Sequence, residues 1–266
     1  MSMQIGIVGK PNVGKSTFFC AATNAKVEIA NYPFTTIDAN RGVMYVAKPC
    51  PCKHFKVKCT PNNSKCIDGV RYVPIEAIDV AGLVPDACKG RGLGNKFLDD
   101  LRQAHALIHI VDSSGQTDEE GNPCKNTDYD PVKDVIFLEK EITFWLHQII
   151  KKNWDAFARK SELEGKKLDS MLADQLTGLG ITEDHIHNAI RSKKLNIDKP
   201  TKWSEEELLE FSDELRKISK PMLIAFNKID SAQKSIKEKI KEISTRGYIS
   251  IPTSSERKRN VAAAEI

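Results

Sequence analysis

Eight residues near the start, GKPNVGKS at positions 9–16, have the Gly-x-x-x-x-Gly-Lys-Ser spacing of a loop that wraps a phosphate. Gly9 and Gly14 let the backbone curl with its N–H groups pointing inward, a nest of donors for the β-phosphate of a nucleotide. The candidate binding residues are Gly9, Lys10, Pro11, Asn12, Val13, Gly14, Lys15, Ser16 and Thr17. Lys15 brings a point charge to the β- and γ-phosphates, and the Ser16 hydroxyl is a ligand for Mg²⁺. A second motif far down the chain, NKID at 227–230, addresses the base. The Asp230 carboxylate accepts from guanine N1–H and the 2-amino group, whereas adenine would set a lone pair against it. Asn227 braces this loop and the aliphatic stem of Lys228 covers the base.

Two further stretches fit the same chemistry. DVAG at 79–82 closes an apolar run, so Asp79 stands at a strand's carboxyl end, where it holds a Mg²⁺-bound water, and the Gly82 N–H meets the γ-phosphate. The next residue is Leu83, where Ras-like GTPases carry the glutamine that orients the attacking water. Slow intrinsic hydrolysis is expected unless another group or a cation takes over. Residues 25–42 follow neither the helix nor the strand period and read as a first switch, with Thr35 and Thr36 as candidates for a metal-bound hydroxyl. The glycines Gly90, Gly92 and Gly94 suit a second segment that rearranges. Near the end of the chain a strand pattern at 248–252 leads to Ser254 and Ser255, where a backbone N–H is expected against guanine O6.

Four of the seven cysteines, Cys50, Cys52, Cys59 and Cys66, fall in one polar loop with C-x-C-x6-C-x6-C spacing. In a reducing cytosol this suggests a local metal site more than a disulfide framework. Thiolates so spaced can close a tetrahedral zinc site, with His54 an alternative ligand, or they are small buried or free thiols. Lys48, Lys53, Lys56, Lys58 and Lys65, with His54 and Phe55, make the same hairpin the most basic projection in the chain, an RNA contact or a solvated face.

The elements that must position these residues are legible from periodicity. Strand patterns at 3–8, 42–47, 72–80, 105–111, 221–226 and 248–252 alternate with helical ones. Residues 131–217 read as helical throughout, with helices at 159–176, 182–192 and 204–218, the last opened by a Ser204–Glu207 capping box. His185, His187 and Trp203 read as packing residues. The expected fold is α/β, a P-loop NTPase GTPase domain of mostly parallel sheet flanked by helices, covering 1–130 and 218–266 with a Cys-rich hairpin at 48–70, and an all-helical insertion at 131–217. At 266 residues, 40% hydrophobic, 29% charged and with a net charge of +4, the composition is that of an ordinary globule. The first residues form no signal peptide and no run is long enough to span a bilayer, so a cytoplasmic monomer without a membrane partner is expected.

With the phosphate loop, NYPFTTI, DVAGLVPDACKGRGLGNKFLDDLR and NKID together, the sequence resembles the Obg-related GTPases, and within them the YchF branch in its archaeal form. The resemblance implies GTP hydrolysis to GDP and phosphate on or near the ribosome. Lys15, Thr36 and Gly82 would be catalytic, and Ser16, Thr36 and Asp79 would hold Mg²⁺. Some YchF proteins prefer ATP because their base-reading motif departs from NKxD, and the intact NKID here points to GTP. Asn12 matches an asparagine that helps hold K⁺ in related potassium-dependent GTPases. The alternatives are a nucleotide-switched module binding RNA or the ribosome with negligible turnover, and an ATPase as in some YchF relatives. The family's C-terminal β-grasp (TGS) domain is expected to be absent from this chain, which stops at Ile266, as in a fragment or a divergent terminus.

Overall fold

The structure is a computed structural model that describes residues 3–23, 40–80, 94–124 and 129–255. Thr35, Thr36, Gly82, Leu83, Cys88, Gly90, Gly92 and the stretch 256–266 lie outside the described residues. The apolar run QIGIV forms β1 (Gln4–Val8), which pairs in parallel with β4 (Val70–Asp79) on one side and β5 (Ala106–Asp112) on the other. Beyond β5 lie β6 (Met222–Asn227) and β7 (Ile249–Pro252), also parallel. An antiparallel strand β2 (Arg41–Pro49) flanks β4, giving the order β2-β4-β1-β5-β6-β7, and a short β3 (Lys65–Ile67) also pairs with β4. Runs such as ALIHIVD and MLIAFN are near-continuously apolar because both faces of a parallel sheet are covered. The chain fills one side of β1 and then the other. The carboxyl ends of β1, β4, β5 and β6 therefore meet at the edge where open α/β sheets bind ligands.

The 48–70 segment is more ordered than a connection. It holds a one-turn helix α2 (Pro51–Phe55) as well as β3, and Asp68 and Gly69 form a two-residue turn with φ of 48° and 76°. Both central residues have positive φ, as the tight hairpin turn that an Asp-Gly pair favours requires.

α1 (Lys15–Thr23) follows the glycine-rich loop and α3 (Gly94–Gln103) precedes β5. Between β5 and β6 every helix or strand described is helical: α4 (Val132–Lys151), α5 (Trp154–Glu164), α6 (Leu168–Leu176), α7 (Glu183–Ser192) and α8 (Glu205–Ser219). α4 buries Val135, Leu138, Ile142, Trp145, Leu146 and Ile150, the three-four spacing of one helix face. The expected helix at 159–176 is two helices, because Gly165 takes a left-handed φ of 64° and ends α5. The Ser204–Glu207 capping box is present, and Thr182 with His185 forms another before α7. Trp203 is packing, its ring 5.0 Å from Trp154 and 5.5 Å from Phe211. After β6 comes α9 (Ile236–Thr245). One buried cluster runs from Val8, Ile78 and Val80 on the sheet through Phe97 and Leu101 of α3 to α4 and on to Leu215 of α8. Among the described residues no helix is long and apolar enough to cross a membrane.

Candidate functional site

The loop at 9–16 leaves the carboxyl end of β1 and turns straight into α1, whose first two residues are Lys15 and Ser16. The loop therefore ends at the positive N-terminal end of α1, the place on a helix that favours an anion. Gly14 has a φ of 93°, and a Cβ there would stand 2.5 Å from Asn227 Nδ2, so side-chain-bearing residues are excluded on both counts. The Lys15 ammonium donates to the Lys10 carbonyl at 2.8 Å, arching over the loop. Burial pushes its pKa below the ordinary lysine value while the Asp79 carboxylate pulls it back. Ser16 Oγ donates to Asp79 Oδ2 at 3.0 Å, which sets two hard oxygen atoms side by side at the loop mouth, the donor type that Mg²⁺ selects.

The base-reading motif is tied to this loop directly. Asn227, buried at the end of β6, donates from Nδ2 to the Val13 carbonyl at 2.9 Å. Its Oδ1 accepts from the Ser255 N–H at 3.1 Å and the Ser255 hydroxyl at 2.8 Å. Ser255 is thus turned to Asn227 and braces the loop. Ser254 donates its hydroxyl to Asp230 Oδ1 at 2.5 Å. Asp230 itself is exposed. Lys228 takes a left-handed φ of 57° and reaches back to donate to the Asn12 carbonyl and Asp112 Oδ2, each at 2.9 Å.

The side chain of Lys10, at a position the motif leaves open, faces the interior. It is 4% exposed, pairs with Asp134 Oδ2 at 2.9 Å, donates to the Thr117 carbonyl at 3.2 Å and lies 3.8 Å from the Tyr129 ring centroid. Only its main chain remains for a loop ligand. Burial pushes the Asp134 carboxyl up, against the pull of Lys10. The Asn12 amide donates to the Gly121 carbonyl at 2.8 Å.

The segment after β5 is therefore a wall of the site that motif reading missed. Asp112 is its key: Oδ1 accepts from the Ser114 N–H and hydroxyl at 2.9 and 2.6 Å, and Oδ2 from Thr117 at 3.0 Å and from Lys228. Burial alone would raise its pKa, but the Ser114 and Lys228 bonds hold it below the ordinary carboxylate value. An available signal was its place: like Asp79, Asp112 ends an apolar strand beside the phosphate loop. His109, on the same strand, is pushed down to about 3 by burial and by the nearby Lys15 and Lys10 charges, so it is neutral.

The four cysteines come together at the far end of β2 and β4. Their sulfur atoms all lie within 4.8 Å of one another, which is compatible with a structural zinc. His54 stands outside this group, edge-on to Phe55 at 4.9 Å. Arg71 donates to Cys59 Sγ at 3.2 Å.

Residues 4–142 match the family model described as 50S ribosome-binding GTPase. A GTP-binding protein of Methanocaldococcus jannaschii is 58% identical over 95% of this chain and 63% of its own length. A protein of Mycoplasma pneumoniae named ribosome-binding ATPase YchF is 35% identical over 73% of this chain and 52% of its own. The chain thus spans between half and two thirds of these curated relatives. The crystal structure of a GTP-binding protein from Pyrococcus horikoshii superposes with a TM-score of 0.80 at 41% identity, over 99% of this chain and 69% of that one. With a family match across the phosphate loop, β4 and β5, the chain belongs to the Obg-related, YchF-type GTP-binding proteins, whose GTPase domain implies guanine nucleotide and Mg²⁺.

Proposed function

We infer that this chain binds GTP, hydrolyses it to GDP and phosphate with Mg²⁺, and acts as a ribosome-associated switch, a cytoplasmic monomer whose G domain, 1–130 and 218–266, carries the helices of 131–217 as an insertion. The observation that carries this reading is the Asn227 bridge, which fixes the phosphate loop and the base-reading loop at one spacing. Asp230, supported by Ser254, would read guanine N1–H and the 2-amino group. Lys15 would neutralise charge on the transferring phosphoryl as water attacks in line and the bond to the GDP oxygen breaks. Ser16 and Asp79, with Thr36 from the first switch, would hold Mg²⁺. When bound, the ion neutralises charge on the β- and γ-phosphate oxygens. The Gly82 N–H would sense the γ-phosphate. Leu83 cannot orient water, so turnover without a partner is slow, and the Asn12 carboxamide is by analogy a K⁺ ligand that compensates. The ribosome is the partner because the Mycoplasma relative is named as ribosome-binding.

The same name includes ATPase, and the intact NKID argues against ATP here. The test is GTP and ATP turnover in K⁺ buffer with and without ribosomes, using Lys15→Ala as the blank. GTP turnover at least about 100-fold above that blank, stimulated by ribosomes, is the expected result. Tight GTP binding with turnover equal to the blank in both conditions would make the chain a binding switch. Equal use of ATP, unaffected by Asp230→Ala, would overturn the guanine reading.

A further inference from the structure

The Cys50–Cys66 knuckle stands apart from the nucleotide site, and its geometry is specific. Cys50 Sγ lies 3.5 Å from Cys59 Sγ, and Cys52 Sγ lies 3.7 Å from Cys66 Sγ. A tetrahedral zinc with bonds of about 2.3 Å requires sulfur pairs about 3.8 Å apart. The ligands come from three separate pieces: the residue before α2 and a residue within it, the loop that follows, and β3. The Cys50 N–H also donates to the Gly69 carbonyl at 2.8 Å, and the Lys53 stem lies across Gly69, where any Cβ would collide with it. A five-residue helix and a three-residue strand bury too little apolar surface to hold such an arrangement unaided.

What this knuckle displays is also specific. Residues 48–71 contain five lysines and one arginine against one aspartate, more positive charge than the +4 of the whole chain, so the remainder is close to neutral. Lys48, Lys53, Lys56, Lys58 and Lys65 are all exposed, and between them Phe55 and Val57 stand 67% and 59% exposed. A zinc tetrathiolate carries two negative charges, which leaves the surface positive. Clustered lysines around an exposed aromatic ring fit a phosphate backbone with unpaired bases that can stack.

We propose that Cys50, Cys52, Cys59 and Cys66 hold a structural zinc ion and that the knuckle so ordered is a docking site for single-stranded or looped RNA, its lysines contacting phosphates and Phe55 stacking on a base. The metal sits far along β2 and β4 from the phosphate loop, so this site is independent of the nucleotide reading. The test uses the whole chain, purified without added zinc. Metal analysis is expected to find about one zinc per chain, and Cys50→Ser/Cys66→Ser to abolish it. Fluorescence anisotropy with a labelled single-stranded RNA of mixed sequence is expected to show affinity falling about tenfold in Lys48→Gln/Lys56→Gln/Lys58→Gln, with the salt dependence of log K flattened by about 2. Phe55→Ala should weaken binding about tenfold with the salt slope unchanged. GDP affinity, read on the same samples, should stay within about twofold throughout, which separates loss of this site from failure of the nucleotide site. Less than about 0.1 zinc per chain with the thiols freely titratable would overturn the metal site. RNA affinity equal in wild type and the lysine variant would overturn the docking site, and lysine-dependent binding of polyglutamate in place of RNA would move the partner to an acidic protein.

Discussion

The Asn227 carboxamide satisfies a Val13 carbonyl and a Ser255 N–H that are both buried, across sequence separations of 214 and 28 residues. Truncation to alanine leaves both without partners, and a buried polar group so orphaned costs about 1–3 kcal/mol. Asn227→Ala is therefore expected to lower stability by about 2–4 kcal/mol, seen in urea unfolding as a lower midpoint at constant slope. Nucleotide affinity should fall with it, because the phosphate loop and the base-reading loop lose their common fastener. A midpoint unchanged within error would show that the loops hold without it. The motif NKID made Asn227 legible as a brace of its own loop. Its reach to Val13 was not, because a pattern of residues states what each can bond and not what folding brings beside it. Lys10 shows the same limit more sharply: the motif leaves its position open, and its side chain turns inward only because Asp134, 124 residues away, is there to meet it. The switch residues Thr36 and Gly82 stand on the sequence and the resemblance alone.

At the level of elements, strand and helix types were legible wherever an apolar period was long, as in β5, β6 and α4. Boundaries set by a single residue were not. Gly165 divides one helical period into two helices, and the Asp68–Gly69 turn makes a hairpin of what reads as a loop. Lys220, between α8 and β6, illustrates how elements are fastened by groups no period reveals. Its buried ammonium donates to the Ala104 carbonyl at 2.5 Å and the Arg102 carbonyl at 3.4 Å, at the carboxyl end of α3. A cation there complements the helix dipole and anchors the helix that follows DVAG. Burial pushes this lysine from 10.5 down to about 8. The sign follows from proton counting: between these two values the unfolded chain holds a proton that the folded chain has lost. Stability conferred through this group rises with pH across that window. Urea unfolding of wild type and Lys220→Met from pH 7 to 10.5 is thus expected to give curves whose difference grows in favour of the wild type above about pH 8. Parallel curves would mean that the ammonium is as well solvated in the folded chain as in the unfolded one.

On the scale of the whole molecule, the order of elements suggests a helical domain inserted into a nucleotide-binding one, yet order alone does not say how independently the two fold. The packing argues for a single cooperative unit. The largest buried cluster passes without a break from the sheet and α3 into α4, α5, α6, α7 and α8. A polar network reinforces the join: Arg216 of α8, fully buried, bonds Thr143 of α4 at 3.1 Å and Asp213 at 3.0 Å and reaches Tyr248, which leads into β7. Tyr248 in turn bonds Glu139 of α4, and Arg246 pairs with the same carboxylate at 3.1 Å. Separate unfolding of the helices would expose the apolar face of α3 and leave these charges unpaired, each a large cost. Differential scanning calorimetry is therefore expected to show one transition whose calorimetric and van't Hoff enthalpies agree. GDP with Mg²⁺ should move that whole transition upward, since a ligand bound only by the folded state stabilises everything that unfolds with its site. Two transitions, of which only one responds to nucleotide, would make the helices an autonomous domain. In that case the route from the nucleotide to them would have to run through the Lys10–Asp134 contact on α4 and not through a shared core.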